Sequence, residues 1–124
     1  MVRHRMVMEL GIGTDIRGQD YTKAACRALQ NALRQNSLSV YDAFGVPAEQ
    51  MLVTIRIGVQ KPEAVDVDAV AALLPYGERT VEVEFGGMDT AGRDVDTPGP
   101  ILANCVVLAD LELDESRWPV KGAA

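Results

Sequence analysis

Three short stretches of this 124-residue chain carry residue types from which a site can be built. The first runs Gly11-Ile12-Gly13-Thr14-Asp15-Ile16-Arg17-Gly18-Gln19-Asp20, just ahead of a helical pattern. Gly11, Gly13 and Gly18 permit left-handed or closely approached backbone. Successive amides before a helix N-terminus can hold an anion or a developing oxyanion, with Asp20 at the helix entry. Asp15 can serve as a general base, as an orienting carboxylate or as a turn former bonding its own backbone, and residue type alone favours the turn. Arg17 offers a forked donor to a carboxylate or a polarised carbonyl, or a plain surface ion pair with Asp15 or Asp20. The second stretch is Lys61, directly before Pro62-Glu63 at a strand end. Desolvation in a cleft would leave its amine able to activate a nucleophile, although a solvated lysine is the commoner case. The third is Gly86-Gly87, with Asp89 and Thr90 beyond it, which is either a backbone binding element or a tight turn.

Other chemistries are excluded. The dinucleotide fingerprint fails at Ile16, where a glycine is required, and no Gly-Lys-Ser/Thr follows. His4 has no second histidine to share a zinc ion, and Asp89, Asp94 and Asp96 lack calcium-loop spacing, so no metal or cofactor is expected. Cys26 and Cys105 stand apart and read as reduced core thiols. Eighteen acidic against twelve basic residues leave a net charge of −6, which argues against a nucleic-acid partner. No apolar run approaches the roughly 18 residues of a membrane span. A cytoplasmic protein with no membrane partner is therefore expected.

The elements that must position these stretches follow from periodicity. Met6, Met8, Leu10 and Ile12 alternate with Val7, Glu9 and Gly11, predicting a strand with that apolar row on the core. Tyr21, Ala24, Ala25, Ala28, Leu29, Ala32 and Leu33 fall at helical spacing, with Asp20 as cap, Arg34 in the last turn and Asn36-Ser37 as the stop. Segment 39–50 reads as a loop with a turn of helix near Val40. Val53, Ile55, Ile57 and Val59 predict a second strand. Val67, Val70, Ala71 and Leu74 predict a short helix, and Val81, Val83 and Phe85 a third strand. Segment 88–102 reads as a loop, a last strand runs from about Asn104 to Leu113, and the tail 114–124 is expected to be loose, as is the loop. The order β-α-β-α-β-β predicts one α+β domain over 1–124: a single-layer mixed four-stranded sheet with both helices on one face. Glu9 or Arg56, with Glu82 and Glu84, would mark the other face. Open strand edges predict an oligomer.

The run Gly11-x-Gly13-x-Asp15-x-Arg17-Gly18, followed by Gln19-Asp20-Tyr21-Thr22-Lys23-Ala24-Ala25, resembles the signature of the Lin family of conserved hypothetical proteins over nearly the whole chain. That family's signature has histidine where Arg17 stands. The resemblance implies a functional loop and a site role for Asp15, while Arg17 removes a neutral proton shuttle. A fainter similarity runs to the ring-opening amidohydrolases of the cyanuric acid hydrolase and barbiturase group, through Gln19 to Lys23, Val59-Gln60-Lys61-Pro62 and a Gly-Gly turn. It implies that Lys61 is a site lysine, but Phe85 occupies the nucleophilic serine position.

Together these readings predict an oligomer that binds a small molecule at a subunit interface and, if it is an enzyme, hydrolyses or isomerises a cyclic amide, an imide or a related carbonyl compound. Asp15, Lys61 and Arg17 would be the catalytic groups, and Gly11, Gly13, Gly18, Asp20, Gly86 and Gly87 the ligand-binding ones. The alternative is a noncatalytic subunit that pairs with a histidine-containing paralogue.

Overall fold

The computed structural model describes residues 1–35, 39–94 and 96–117. The expected helix stop at Asn36-Ser37 and the tail from 118 onward lie outside the described residues. The elements are β1 (Val2–Asp15), α1 (Tyr21–Gln35), α2 (Val40–Ala43), β2 (Leu52–Val59), α3 (Val67–Ala71), β3 (Glu78–Phe85), β4 (Met88–Ala91) and β5 (Pro98–Leu113). They form the α+β fold predicted, with a five-stranded sheet in the order β1-β5-β2-β3, β4 pairing with β5 off that path. β2 and β3 are parallel, and the other pairings are antiparallel.

The additional strand comes from segment 88–102, which is a hairpin arm rather than a loop: Met88 pairs with Leu102 and Ala91 with Pro98. β1 occupies the other edge of β5 at this level, through Asp15 opposite Ile101. β4 therefore takes the place beside β5 that β2 fills further along. Both β1 and β5 are longer than the apolar alternation alone suggested.

α1 lies on β1 and β5 at unusually close range. Ala24, Ala25, Ala28, Leu29 and Ala32 are fully buried, and the strand beneath them presents glycine. A side chain at Gly13 would come within 2.2 Å of the Ala28 nitrogen, and one at Gly11 within 2.3 Å of the Ala28 carbonyl oxygen. The helix seats because those two positions have no Cβ. This inverts the predicted face of β1: Gly11, Gly13 and Asp15 point at the helix, while Met8, Leu10 and Ile12 are 58–59% exposed on the opposite side. An alternating pattern has one answer for spacing and two for facing, and here close helix packing decided between them. Glu9 shares the glycine parity and belongs to the helix face, so it is not a marker of the open one.

The rest of the core matches the periodicities. Val53, Ile55, Ile57 and Val59 of β2 are buried, as are Val70 of α3, which packs on β3 and α1, and Leu74 just beyond it. Asp66 caps α3 by accepting from the Asp68 and Ala69 amides. Arg56 lies on the open face against Glu84 at 2.7 Å and Glu82 at 3.9 Å, as the alternation of β2 and β3 predicts.

Candidate functional site

The three predicted stretches gather at one end of the sheet. β1, β2 and β3 all run toward it, so Asp15–Asp20, Gln60–Lys61 and Gly86–Gly87 are the connections leaving the same edge. Thr22 in the first turn of α1 donates to the Ala64 carbonyl and accepts from the Asp66 amide, tying the first stretch to the second. Gln60 donates to the carbonyls of Gly86 at 2.9 Å and Gly87 at 3.3 Å, tying the second to the third.

Within this rim the residues separate by face. On the helix side Asp15 is buried, at 6% exposure. One carboxylate oxygen accepts the Asp20 amide at 2.8 Å, and the other lies 3.6 Å from the Arg27 guanidinium. Gly18 leaves room for it, since a Cβ there would fall 2.8 Å from that first oxygen. Gln19 adopts a left-handed φ of 51° to turn the chain back. Asp20 in turn caps α1 by accepting the Lys23 amide at 3.0 Å. The carboxylate thus fills its own bend. The positions of Gly11, Gly13 and Gly18 are accounted for by close packing, and those of Asp15 and Asp20 by backbone hydrogen bonds. Arg17 is exposed and has no hydrogen bond or ion pair among the described residues; Lys61 is likewise exposed.

Tyr21 is buried against the same rim, and its hydroxyl donates to the Asp89 carboxylate. Burial, then that bond and the charges of Asp89 and Glu63, push the phenol from 10.0 up to about 12. Asp15, Ile101 and Asp89 lie side by side across β1, β5 and β4, so this pair fastens the hairpin arm to the start of α1.

On the open face, Ile12, Asn104 and Gly58 form one transverse line across β1, β5 and β2. The chain leaving β3 crosses over the end of β2 at Gly86-Gly87 to reach the β4 position. Gly87 turns there with φ of 61° and donates its amide to the Asn104 side-chain oxygen at 3.0 Å. A Cβ on Gly58 would lie 2.3 Å from that oxygen, and one on Gly86 3.1 Å from the Gly58 Cα. Gly58 is buried, and the room left by its missing Cβ is filled by the Asn104 side chain and the crossing Gly86 backbone, so the exposed Asn104 amide group, with Gln60 beyond the crossing, marks the candidate notch on this face. Asn104 retains two N–H donors after accepting from Gly87. Gly86 and Gly87 were sequence candidates; Gly58 and Asn104 were not. The available signal was a lone amide in the otherwise apolar run from Ile101 to Ala109.

Among the described residues no group of three or more His, Cys, Asp or Glu gathers as for a metal, and no helix is long and apolar enough to cross a membrane.

Against known proteins, the model of a conserved hypothetical protein family, Lin0512_fam, matches residues 5–110. The chain is also similar to a crystal structure described as an FtsZ-like protein of unknown function from Nostoc punctiforme, with 34% identity and a TM-score of 0.81. That similarity covers 91% of this chain and 99% of the other. No curated protein matches, so the resemblance to ring-opening amidohydrolases gains no support.

Proposed function

The chain belongs to the conserved hypothetical protein family Lin0512_fam, and from that premise we propose that it is an oligomer binding a small planar polar molecule, a cyclic amide or imide, in the notch on the open sheet face. The observation that carries this reading is Asn104, whose exposed side chain packs over the buried Gly58 and accepts only the Gly87 amide, leaving its N–H donors to a ligand. The Asn104 amide and the Gln60 side-chain oxygen near it supply the donor and acceptor edge that alternating ring carbonyls and N–H groups require. Arg17 and Lys61, exposed at the same end, add positive charge for an anionic form of the ring.

Binding rather than turnover is the core of the proposal. Carbonyl hydrolysis or isomerisation would need a general base, and both oxygens of Asp15 are engaged within its own bend. A second reading, a noncatalytic subunit completing the site of a histidine-containing paralogue, is favoured by Arg17. It replaces the signature histidine and leaves its guanidinium unspent among the described residues.

Titration calorimetry with succinimide, hydantoin and barbituric acid tests the binding reading. At least one should bind the wild-type protein, and Gly58→Ala, whose Cβ would meet the Asn104 side-chain oxygen and displace that side chain, should weaken it by about 100-fold or more, equivalent to about 2.7 kcal/mol. If none binds at millimolar concentration, or Gly58→Ala binds as the wild type does, the notch is not a ligand site.

A further inference from the structure

A sheet with helices on one side buries its other side only against a further layer, and the open face here is divided by chemistry. Over β2 and β3 it is charged, with Arg56 already spent on Glu82 and Glu84. Over β1 and β5 it is apolar: Met8, Leu10 and Ile12 are more than half exposed, Val106 and Leu108 lie beside them, and Met88 of β4 extends the strip at 60% exposure. Charge returns only at the far end, where Arg3 and Arg5 engage Asp110 at 2.7 and 3.4 Å.

We propose that a second copy of this chain seats face to face on the β1/β5 strip, related by a two-fold axis running along the strands, and roofs the notch. Three observations lead there. The first is that the outer edge of β1 is occupied beside the notch: Asn31 accepts the Ile12 amide at 3.0 Å, and Arg27 donates to the Thr14 carbonyl at 2.7 Å. At that end a partner strand cannot pair with the edge, and the exposed side chains of the face remain for association. The second is charge placement. Seating a partner on β2 and β3 would bury Arg56 together with an excess of glutamate, whereas the β1/β5 strip carries no charge at its centre. The third is self-complementarity and size. An axis between β1 and β5 sets the β1 row of one copy on the β5 row of the other, Leu10 on Val106 and Met8 on Leu108, each contact occurring twice. The strip from Arg3 to Thr14 is about 40 Å long and about 10 Å wide at ordinary strand spacings. Two copies with side-chain relief would bury on the order of 1,000 Å², the lower bound for a specific interface.

The same register brings the partner's Ile12 over Asn104, closing the notch from above. This last clause rests on the binding reading, and the dimer does not. It gives the notch the dry ceiling that a site open to solvent on one side lacks.

Light scattering on the eluting protein tests the dimer. The wild type at about 100 µM, above the micromolar dissociation constants of small interfaces, should show twice the 13.4 kDa chain mass. Leu10→Glu and Ile12→Glu should each return it to the single-chain mass with an unchanged circular dichroism spectrum, since both side chains already face solvent within the chain. Glu82→Lys on the other half should leave the dimer intact. A wild type of single-chain mass, a larger ring, or a dimer that persists in Leu10→Glu overturns the proposal. Succinimide titrated into the Leu10→Glu monomer separates the two readings: binding at least about tenfold weaker than to the wild type supports the roof, and equal binding removes the roof. Absence of binding to both, with the masses as expected, removes the notch and leaves the dimer.

Discussion

Gly13→Ala tests the packing on which the rest of the site is built. The added Cβ would lie 2.2 Å from the Ala28 nitrogen, 2.4 Å from the Ala24 oxygen and 2.7 Å from the Arg27 carbonyl carbon, all backbone atoms of α1. Since carbon contacts settle near 3.5 Å, the helix must retreat by about 1.3 Å, and a gap of that order forfeits about half or more of each dispersion contact. Those contacts are made by Ala24, Ala25, Ala28, Leu29 and Ala32, all fully buried. The loss belongs at the upper end of overpacking effects, about 3 kcal/mol. In a domain of this size that lowers the melting midpoint by about 10 °C. Chemical denaturation followed by far-ultraviolet circular dichroism reads both quantities. Ala28→Gly should not rescue the variant, because the obstruction is backbone and not the Ala28 methyl. Gly45→Ala provides the comparison: nothing lies within 4 Å of its Cβ position, so only the left-handed φ of 66° is strained, at about 1 kcal/mol. A Gly13→Ala protein within about 0.5 kcal/mol of wild type, the range of neutral surface changes, would refute close packing as the reason for this glycine.

Asp15 is expected to act through stability. Asp15→Ala orphans the Asp20 amide and removes the ion pair with Arg27, which keeps the Thr14 carbonyl, and should lower the unfolding free energy by about 1–3 kcal/mol; an unchanged denaturation midpoint would contradict this. Tyr21 should make the protein sensitive to strong alkali. Burial and the Asp89 bond push its folded phenol from the ordinary 10.0 up to about 12, so the unfolded chain loses the proton first. Stability is then complete below pH 10 and falls as pH rises from 10 toward 12. Thermal melts of Tyr21→Phe should lack that component of the decline, and identical alkaline profiles for the two proteins would show that burial and Asp89 do not hold the phenol protonated.

How much of this was written in the sequence depends on which residues carried the information. The helical spacing of Tyr21 to Leu33 and the alternation of Val53 to Val59 are local, and both elements form as those patterns require. The facing of β1 is not local. Met8, Leu10 and Ile12 look like core because they are apolar, yet what decides the matter is that Gly11 and Gly13 can approach an alanine-rich helix and bulky side chains cannot. The glycines were legible as permissive backbone, but the use made of that freedom depends on residues 11 to 21 positions further along. β4 was hidden for a related reason. Met88–Ala91 is short and followed by glycine, aspartate and proline, and its pairing partner Pro98–Leu102 supplies the order that its own composition lacks.

The signature that drew attention to the first bend can now be separated into parts. Gly11 and Gly13 admit α1, Gly18 admits the Asp15 carboxylate, and Asp15 and Asp20 hold the helix start by accepting the amides of Asp20 and Lys23. Every one of these roles is spent inside the chain, so the bend has little left to offer a ligand except Arg17. The open face is the reverse: its apolar strip is exposed, and the Asn104 amide on it has donors to spare. A chain that commits its most recognisable residues to pressing one helix onto one strand pushes the large side chains of that strand outward. The same glycines that build the core thereby generate the surface through which this protein is proposed to act.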